Sequence, residues 1–199
     1  MIKALLLIFE PVATWDRIAQ ARRGSAFLLF VYLLPMLLIG SAAEGYGLTR
    51  WGEWQRDIGR QALFSLREAA IFEAAQLILI LIVVLISAKV IKSLGDTFHS
   101  RHTFTQALTI VVYGLSPWFL ARMTDAFPMS PWIAWSVGLL LAVAILYHGV
   151  PRVMEPDPSH AFGLYLTSCI LLMFITAILR LATASYLEGQ FPALRQMLA

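Results

Sequence analysis

The chain has 199 residues, 59% of them hydrophobic and 14% charged, with a mean hydropathy of +0.75. That balance excludes an ordinary water-soluble domain. Fifteen basic residues against 12 acidic ones give a formal charge of +3, spread along the chain without the basic cluster that nucleic-acid binding needs.

The first residues, MIKALLLIF, hold a lysine and a short apolar run, but Glu10 and Pro11 follow with no small-residue cleavage site, which argues against a signal peptide. In EPVATWDRIAQARRG, Pro11 suits a first helical turn. Val12, Trp15 and Ile18 share one face there, with Asp16, Arg17 and Gln20 elsewhere. The pattern predicts an amphipathic helix lying on the membrane.

A bilayer core about 30 Å thick needs about 20 apolar residues in a helix, because every backbone polar group must be paired within the segment. Five stretches qualify: residues 25–43, 69–91, 104–121, 126–147 and 161–179. Four of them contain no Asp, Glu, Lys or Arg. The stretch 69–91 carries Glu73 near one end and Lys89 near the other, where a lysine stem reaches the headgroups. Between the first two stretches, Trp51, Trp54, Ile58 and Ala62 are spaced 3, 4 and 4 apart, with Arg50, Glu53, Arg56, Asp57 and Arg60 off that stripe. This spacing predicts a second surface helix. No linker or low-complexity run divides the chain, so residues 1–199 read as one domain. The expected fold is all-α: a polytopic membrane protein with five transmembrane helices and amphipathic interfacial helices.

In the third stretch, VVYGLSPWF, Pro117 has no amide hydrogen and its ring crowds the carbonyl of Tyr113, which predicts a bend. Gly114 removes bulk on the same turn, and Ser116 with the Tyr113 hydroxyl would make a small polar locus. A neighbouring helix, water or a lipid headgroup would have to satisfy it. The fourth stretch ends in LYHGVPRVMEPD. Here Gly149 and Pro151 are expected to stop the helix after Tyr147, and Pro156 and Pro158 to delay the next one. Among ionisable groups, Glu73 and Arg180 both fall near the same side of the membrane, and a pair between them is expected because a lone charge at that depth is costly.

Chemistry is sparsely marked. There is no GxSxG elbow, phosphate-binding glycine loop or Cys/His finger pattern, and the single cysteine, Cys169, excludes an intrachain disulfide. His99, His102, His148 and His160 fall in two loops on one side with Asp96, Glu155 and Asp157. They are read either as helix-capping polar residues or as a metal site of a membrane enzyme. No catalytic residue, bound metal or cofactor is assigned from the sequence.

Pro11, Trp15 and Ile18 near the start, then FTQALTIVVYGLSPWFLA and LYHGVPRVMEPDPSHAFGLYL, resemble the Yip family of Ypt-interacting proteins in its bacterial branch. The most specific elements are Tyr113, Gly114 and Pro117, then Tyr147, Gly149, Pro151 and Met154. Bacterial relatives usually have a glycine-rich turn before the third span, whereas this chain has GDTFHSRHTF. The resemblance implies five membrane helices in the bacterial inner membrane with a cytoplasmic N-terminus. The basic residues alone, eight on one side and seven on the other, do not decide that orientation. Eukaryotic relatives bind small GTPases of the Rab class, but no GTPase-binding motif is visible here. The expected function is a non-enzymatic membrane protein that organises partners or bilayer shape. A transporter or lipid-handling protein with a groove near Tyr113 and Pro117 is the alternative, with Ser116, Thr167 or Ser168 in the same cavity. The expected contacts are the lipid bilayer and a membrane-protein partner or bound lipid; the sequence leaves the oligomeric state open.

Overall fold

The computed structural model describes residues 2–55, 60–97 and 102–190. Among the described residues, five helical stretches are long and apolar enough to cross a membrane: Phe27–Arg50, Leu66–Thr97, Phe104–Ala126, Pro131–Met154 and Ala161–Leu187. Each continues past the C-terminal end of the stretch that marked it in the sequence.

Two shorter helices precede them, α1 (Ile2–Phe9) and α2 (Pro11–Ala21). Pro11 opens α2, where its missing amide costs no intrahelical bond, and Arg22 ends it in the left-handed conformation at φ 40°. The first span starts with a π-helical turn, Phe27–Leu33, and continues as α3 (Leu34–Arg50). Pro35 accounts for the wide turn: it cannot donate to the carbonyl four residues back, and pairing of the Leu34 amide with the Leu29 carbonyl one residue further relieves the crowding.

The predicted second surface helix does not form. Gly52, at φ 72°, turns the chain after α3, and β1 (Glu53–Gln55) pairs antiparallel with β2 (Arg60–Ala62). Gly52 interrupts the tryptophan stripe directly after Trp51, and the remainder is too short to hold a helix without tertiary support. Ile58 lies outside the described residues. Trp51 instead donates its indole N–H to the Ala126 carbonyl at 3.1 Å, which ties the end of α3 to the end of the third span.

Ser65 and Glu68 cap α4 (Leu66–Thr97) reciprocally: the Ser65 amide donates to Glu68 at 2.8 Å, and the Glu68 amide to the Ser65 hydroxyl at 3.2 Å. The third span is broken as expected, into α5 (Phe104–Gly114), α6 (Ser116–Ala121) and a 3-10 turn, Arg122–Ala126. Thr103 and Gln106 form a capping box at its start. Replacing Thr103 with alanine should lower stability by about 1 kcal/mol, read as a small drop in thermal midpoint with unchanged helix content by circular dichroism.

Every residue from 107 to 119 is buried, so the third span is the core of the bundle. Helices α4 and α7 (Pro131–Met154) flank α5, while α8 (Ala161–Leu187) packs on α4 and α7. Phe30, Ile78, Leu140 and Phe174 point outward from the other spans, as side chains facing lipid do.

Two further expectations are corrected. Helix α7 runs through Gly149 and Pro151 and stops at Glu155, whose φ of 42° gives the left-handed cap, before Pro156. Proline inside a membrane helix is tolerated when neighbours compensate the freed backbone groups. The stripe on α2 faces the protein: Trp15 and Ile18 are buried, and α2 packs along α7. Val12 remains exposed.

Candidate functional site

Two polar sites stand out, one in each half of the bundle. The first surrounds Arg122 on the side where α3 ends and α4 begins. Its Nη2 donates to Glu44 Oε2 at 2.6 Å and Gln76 Oε1 at 2.8 Å, and lies 3.4 Å from Glu73 Oε2. All four side chains are buried. Glu44 sits six residues before the end of α3 and Glu73 seven after the start of α4, so the cluster lies about 10 Å inside the helix ends. The 3-10 turn after α6 aims Arg122 inward. Glu73 therefore pairs with Arg122, and the expected pair with Arg180 is not formed. The Arg180 guanidinium lies over the Trp132 ring, 5.5 Å from its centroid. Beside the cluster, Glu44, Asp125 and Arg180 line an open cleft of about 470 Å³, walled also by Trp51 and Trp132.

The second site is at the N-terminal side. Tyr113, at the last turn of α5, packs against Tyr32 and edge-on against Trp15, with ring centroids 4.3 and 6.2 Å away. Its residue is 1% exposed, and its hydroxyl has no hydrogen-bond partner. The ring borders a cleft of about 470 Å³ that Arg22, Arg23 and Arg152 also line. Arg152 donates to Asp16 at 2.9 Å and to the His148 carbonyl at 2.9 Å, so it joins α7 to α2. Gln106 donates to the Val153 carbonyl at 3.0 Å and holds α5 against the end of α7.

The other sequence-marked residues divide between packing and surface. Ser116 lies 2.7 Å from the Tyr32 hydroxyl and donates back to the Val112 carbonyl at 3.1 Å; its neighbour Pro117 sits in the first turn of α6. Gly114 faces Leu146, where a methyl group would overlap the leucine side chain. Thr167 bonds back to the Gly163 carbonyl, and neither it nor Ser116 or Ser168 lines the cleft beside Tyr113. Gly149 lies under the Trp15 indole, whose N–H donates to the Ile145 carbonyl at 3.0 Å. Tyr147 and Pro151 face the other way, into a shallow groove beside Tyr165, whose ring meets that of Tyr147 edge-on at 5.4 Å. The motif after the fourth span is thus split between two faces of α7.

Among the described residues, no three His, Cys, Asp or Glu side chains converge as a metal ion requires. His102 is buried against Gly95, His160 meets the Ser159 hydroxyl at 3.0 Å, and His99 lies outside the described residues.

Sequence reasoning missed Glu44 and Arg122, which fall just beyond 43 and 121, the ends set by uncharged runs. The signal was available: buried acids near helix ends on one side need a cation on that side, and Arg122 follows the third span directly.

The Yip1 domain family model matches residues 5–179. No curated protein and no solved structure matches the chain.

Proposed function

The chain belongs to the Yip1 domain family, and from that premise we propose that this multi-pass membrane protein is a non-enzymatic organiser of bilayer shape, acting through its N-terminal helical hairpin. One observation carries the reading: the hairpin enters the bundle from one side and reaches only to about its middle. Helix α1 packs against α6, which begins 12 residues into the third span, about 18 Å along its axis. Ala4 and Leu7 are fully buried there, while Leu5 and Phe9 are 50% and 79% exposed and meet lipid. Eight residues of helix cover about 12 Å and cannot cross a core about 30 Å thick. The hairpin therefore adds cross-section from the N-terminal side to about the middle of the bundle, whereas the opposite side carries the short β1–β2 hairpin. A protein wider in one leaflet is favoured where that leaflet is expanded.

The same reading sets the N-terminal side in the cytoplasm of a bacterial inner membrane. The family resemblance supports that orientation, since the basic residues, eight on one side and seven on the other, do not separate the two sides. A membrane partner would dock on the outward-facing apolar surface of the bundle.

The test is partition between a giant vesicle and a narrow tube drawn from it, with the N-terminal side in the outer leaflet. Labelled protein is expected to be denser in the tube than in the vesicle body. Replacing Leu5 and Phe9 with serine, which leaves the buried face of α1 intact, should reduce that enrichment. Equal density in tube and body for the unaltered protein would overturn the proposal.

A further inference from the structure

We propose that the cleft beside Tyr113 binds the phosphate of an anionic phospholipid whose headgroup enters between α2, α5 and α7. This site does not depend on the bilayer-shaping role of the α1–α2 hairpin.

Three observations converge on it. The cleft lies at the end of the third and fourth spans that holds Thr103 and Glu155, the level of lipid headgroups, and its volume of about 470 Å³ accommodates a headgroup. Among the described residues, three guanidiniums line it, from Arg22, Arg23 and Arg152, against one carboxylate, that of Glu155. Arg152 is already engaged by Asp16, and Arg23 lies over the Phe27 ring at 4.8 Å, so both are held in place with further N–H groups to offer. Planar guanidinium groups match phosphate oxygens in two-point contacts. The inner wall supplies the third observation: Tyr113, a residue 1% exposed, lines the cleft, and its buried hydroxyl has no hydrogen-bond partner. A buried hydroxyl without a partner is costly, and the acceptor it lacks is what a phosphate oxygen provides.

The neighbouring polar groups do not relieve that hydroxyl. Thr109 bonds back to the Thr105 carbonyl at 2.7 Å, and the Thr105 hydroxyl meets that of Ser25 at 2.9 Å. Tyr32 is taken by Ser116. Trp15 and Tyr32 hold the Tyr113 ring from two sides, so the hydroxyl cannot swing out to bulk solvent. Basic pockets between membrane helices recognise anionic headgroups by this combination of charge and fixed donors. A lipid rather than free phosphate fits the position, because the acyl chains of a lipid anchored here would run along the apolar flank of the bundle.

The experiment uses the full-length protein, delipidated in a neutral detergent, and follows its thermal midpoint against added short-chain phosphatidylglycerol. Phosphatidylcholine and inorganic phosphate serve as the comparison probes. Phosphatidylglycerol is expected to raise the midpoint at concentrations where the other two do not. Tyr113→Phe keeps the ring packing and removes only the oxygen, and it should weaken the apparent affinity about tenfold. Arg22→Gln is the second variant, at the exposed rim where folding is not at stake, and it should weaken phosphatidylglycerol while leaving the midpoint without lipid unchanged. Equal protection by phosphatidylcholine, or by inorganic phosphate alone, would overturn the assignment. So would identical phosphatidylglycerol affinity in the unaltered protein and both variants, the result expected if water alone fills the cleft.

Discussion

Replacing Arg122 with leucine is expected to destabilise the protein by about 3–5 kcal/mol, because it strands two buried carboxylates. Glu44 and Glu73 both meet the same guanidinium nitrogen, at 2.6 and 3.4 Å, and Gln76 meets it at 2.8 Å. All three side chains are buried, and the spans that carry them are solvated by lipid. The cluster joins three segments: α3 through Glu44, α4 through Glu73 and Gln76, and the end of the third span through Arg122. Its loss should therefore loosen that end of the bundle as a unit. Thermal unfolding of the purified protein, followed by size-exclusion chromatography of the heated sample, measures the effect.

The same cluster predicts a rescue. A buried charged triad replaced whole by apolar side chains of similar size is often neutral or stabilising, whereas breaking it by one member is not. Arg122→Met combined with Glu44→Leu and Glu73→Leu should thus regain most of what Arg122→Leu alone loses. Arg180→Met is the contrast: it removes a contact with the Trp132 ring, worth about 0.5–1 kcal/mol, and leaves Glu73 paired. Strictly additive costs among Arg122, Glu44 and Glu73 would show that the three do not act together.

The five spans were legible because a run of about 20 apolar residues has few alternatives in lipid. The bend at Pro117 was legible for a similarly local reason, since a missing amide breaks a helix wherever it stands. What the sequence hid was depth and direction. Glu44 and Arg122 stand at the edges of uncharged runs, and an edge residue faces either the headgroups or a partner across the bundle, which only tertiary packing decides. Glu73 was visible as a buried acid, but two arginines on the same side, Arg122 and Arg180, could answer it, and periodicity does not choose between them. Trp15 and Ile18 show the same ambiguity: an apolar stripe on a short helix fits lipid and protein equally well. The stretch at 51–62 failed differently. Its spacing matched a helix, but the turn at Gly52 outweighed the spacing, and β1 paired with β2.

Gly149→Ala tests how tightly the N-terminal hairpin is fixed to the bundle. The added methyl would overlap the Cζ2 and Cε2 atoms of Trp15, a rigid ring that is fully buried. The ring cannot give way alone, because its N–H is bonded to the Ile145 carbonyl and its edge meets Tyr113. To make room, α2 must shift away from α7. Overpacking of this kind costs about 1–3 kcal/mol, and the indole N–H left without its acceptor adds about 1–3 kcal/mol more. Gly114→Ala is expected to cost less, since the atoms it meets are the branched end of Leu146, which can change rotamer. If the contact with Trp15 is the cause, Gly149→Ala introduced into a Trp15→Leu protein should cost almost nothing, because the overlapping ring atoms are gone. The double change would then differ from the sum of the single ones by more than about 1 kcal/mol. Additive costs would instead place the strain elsewhere along α7, and the seating of α2 on Gly149 would have to be abandoned as the link between the N-terminal hairpin and the Tyr113 cleft.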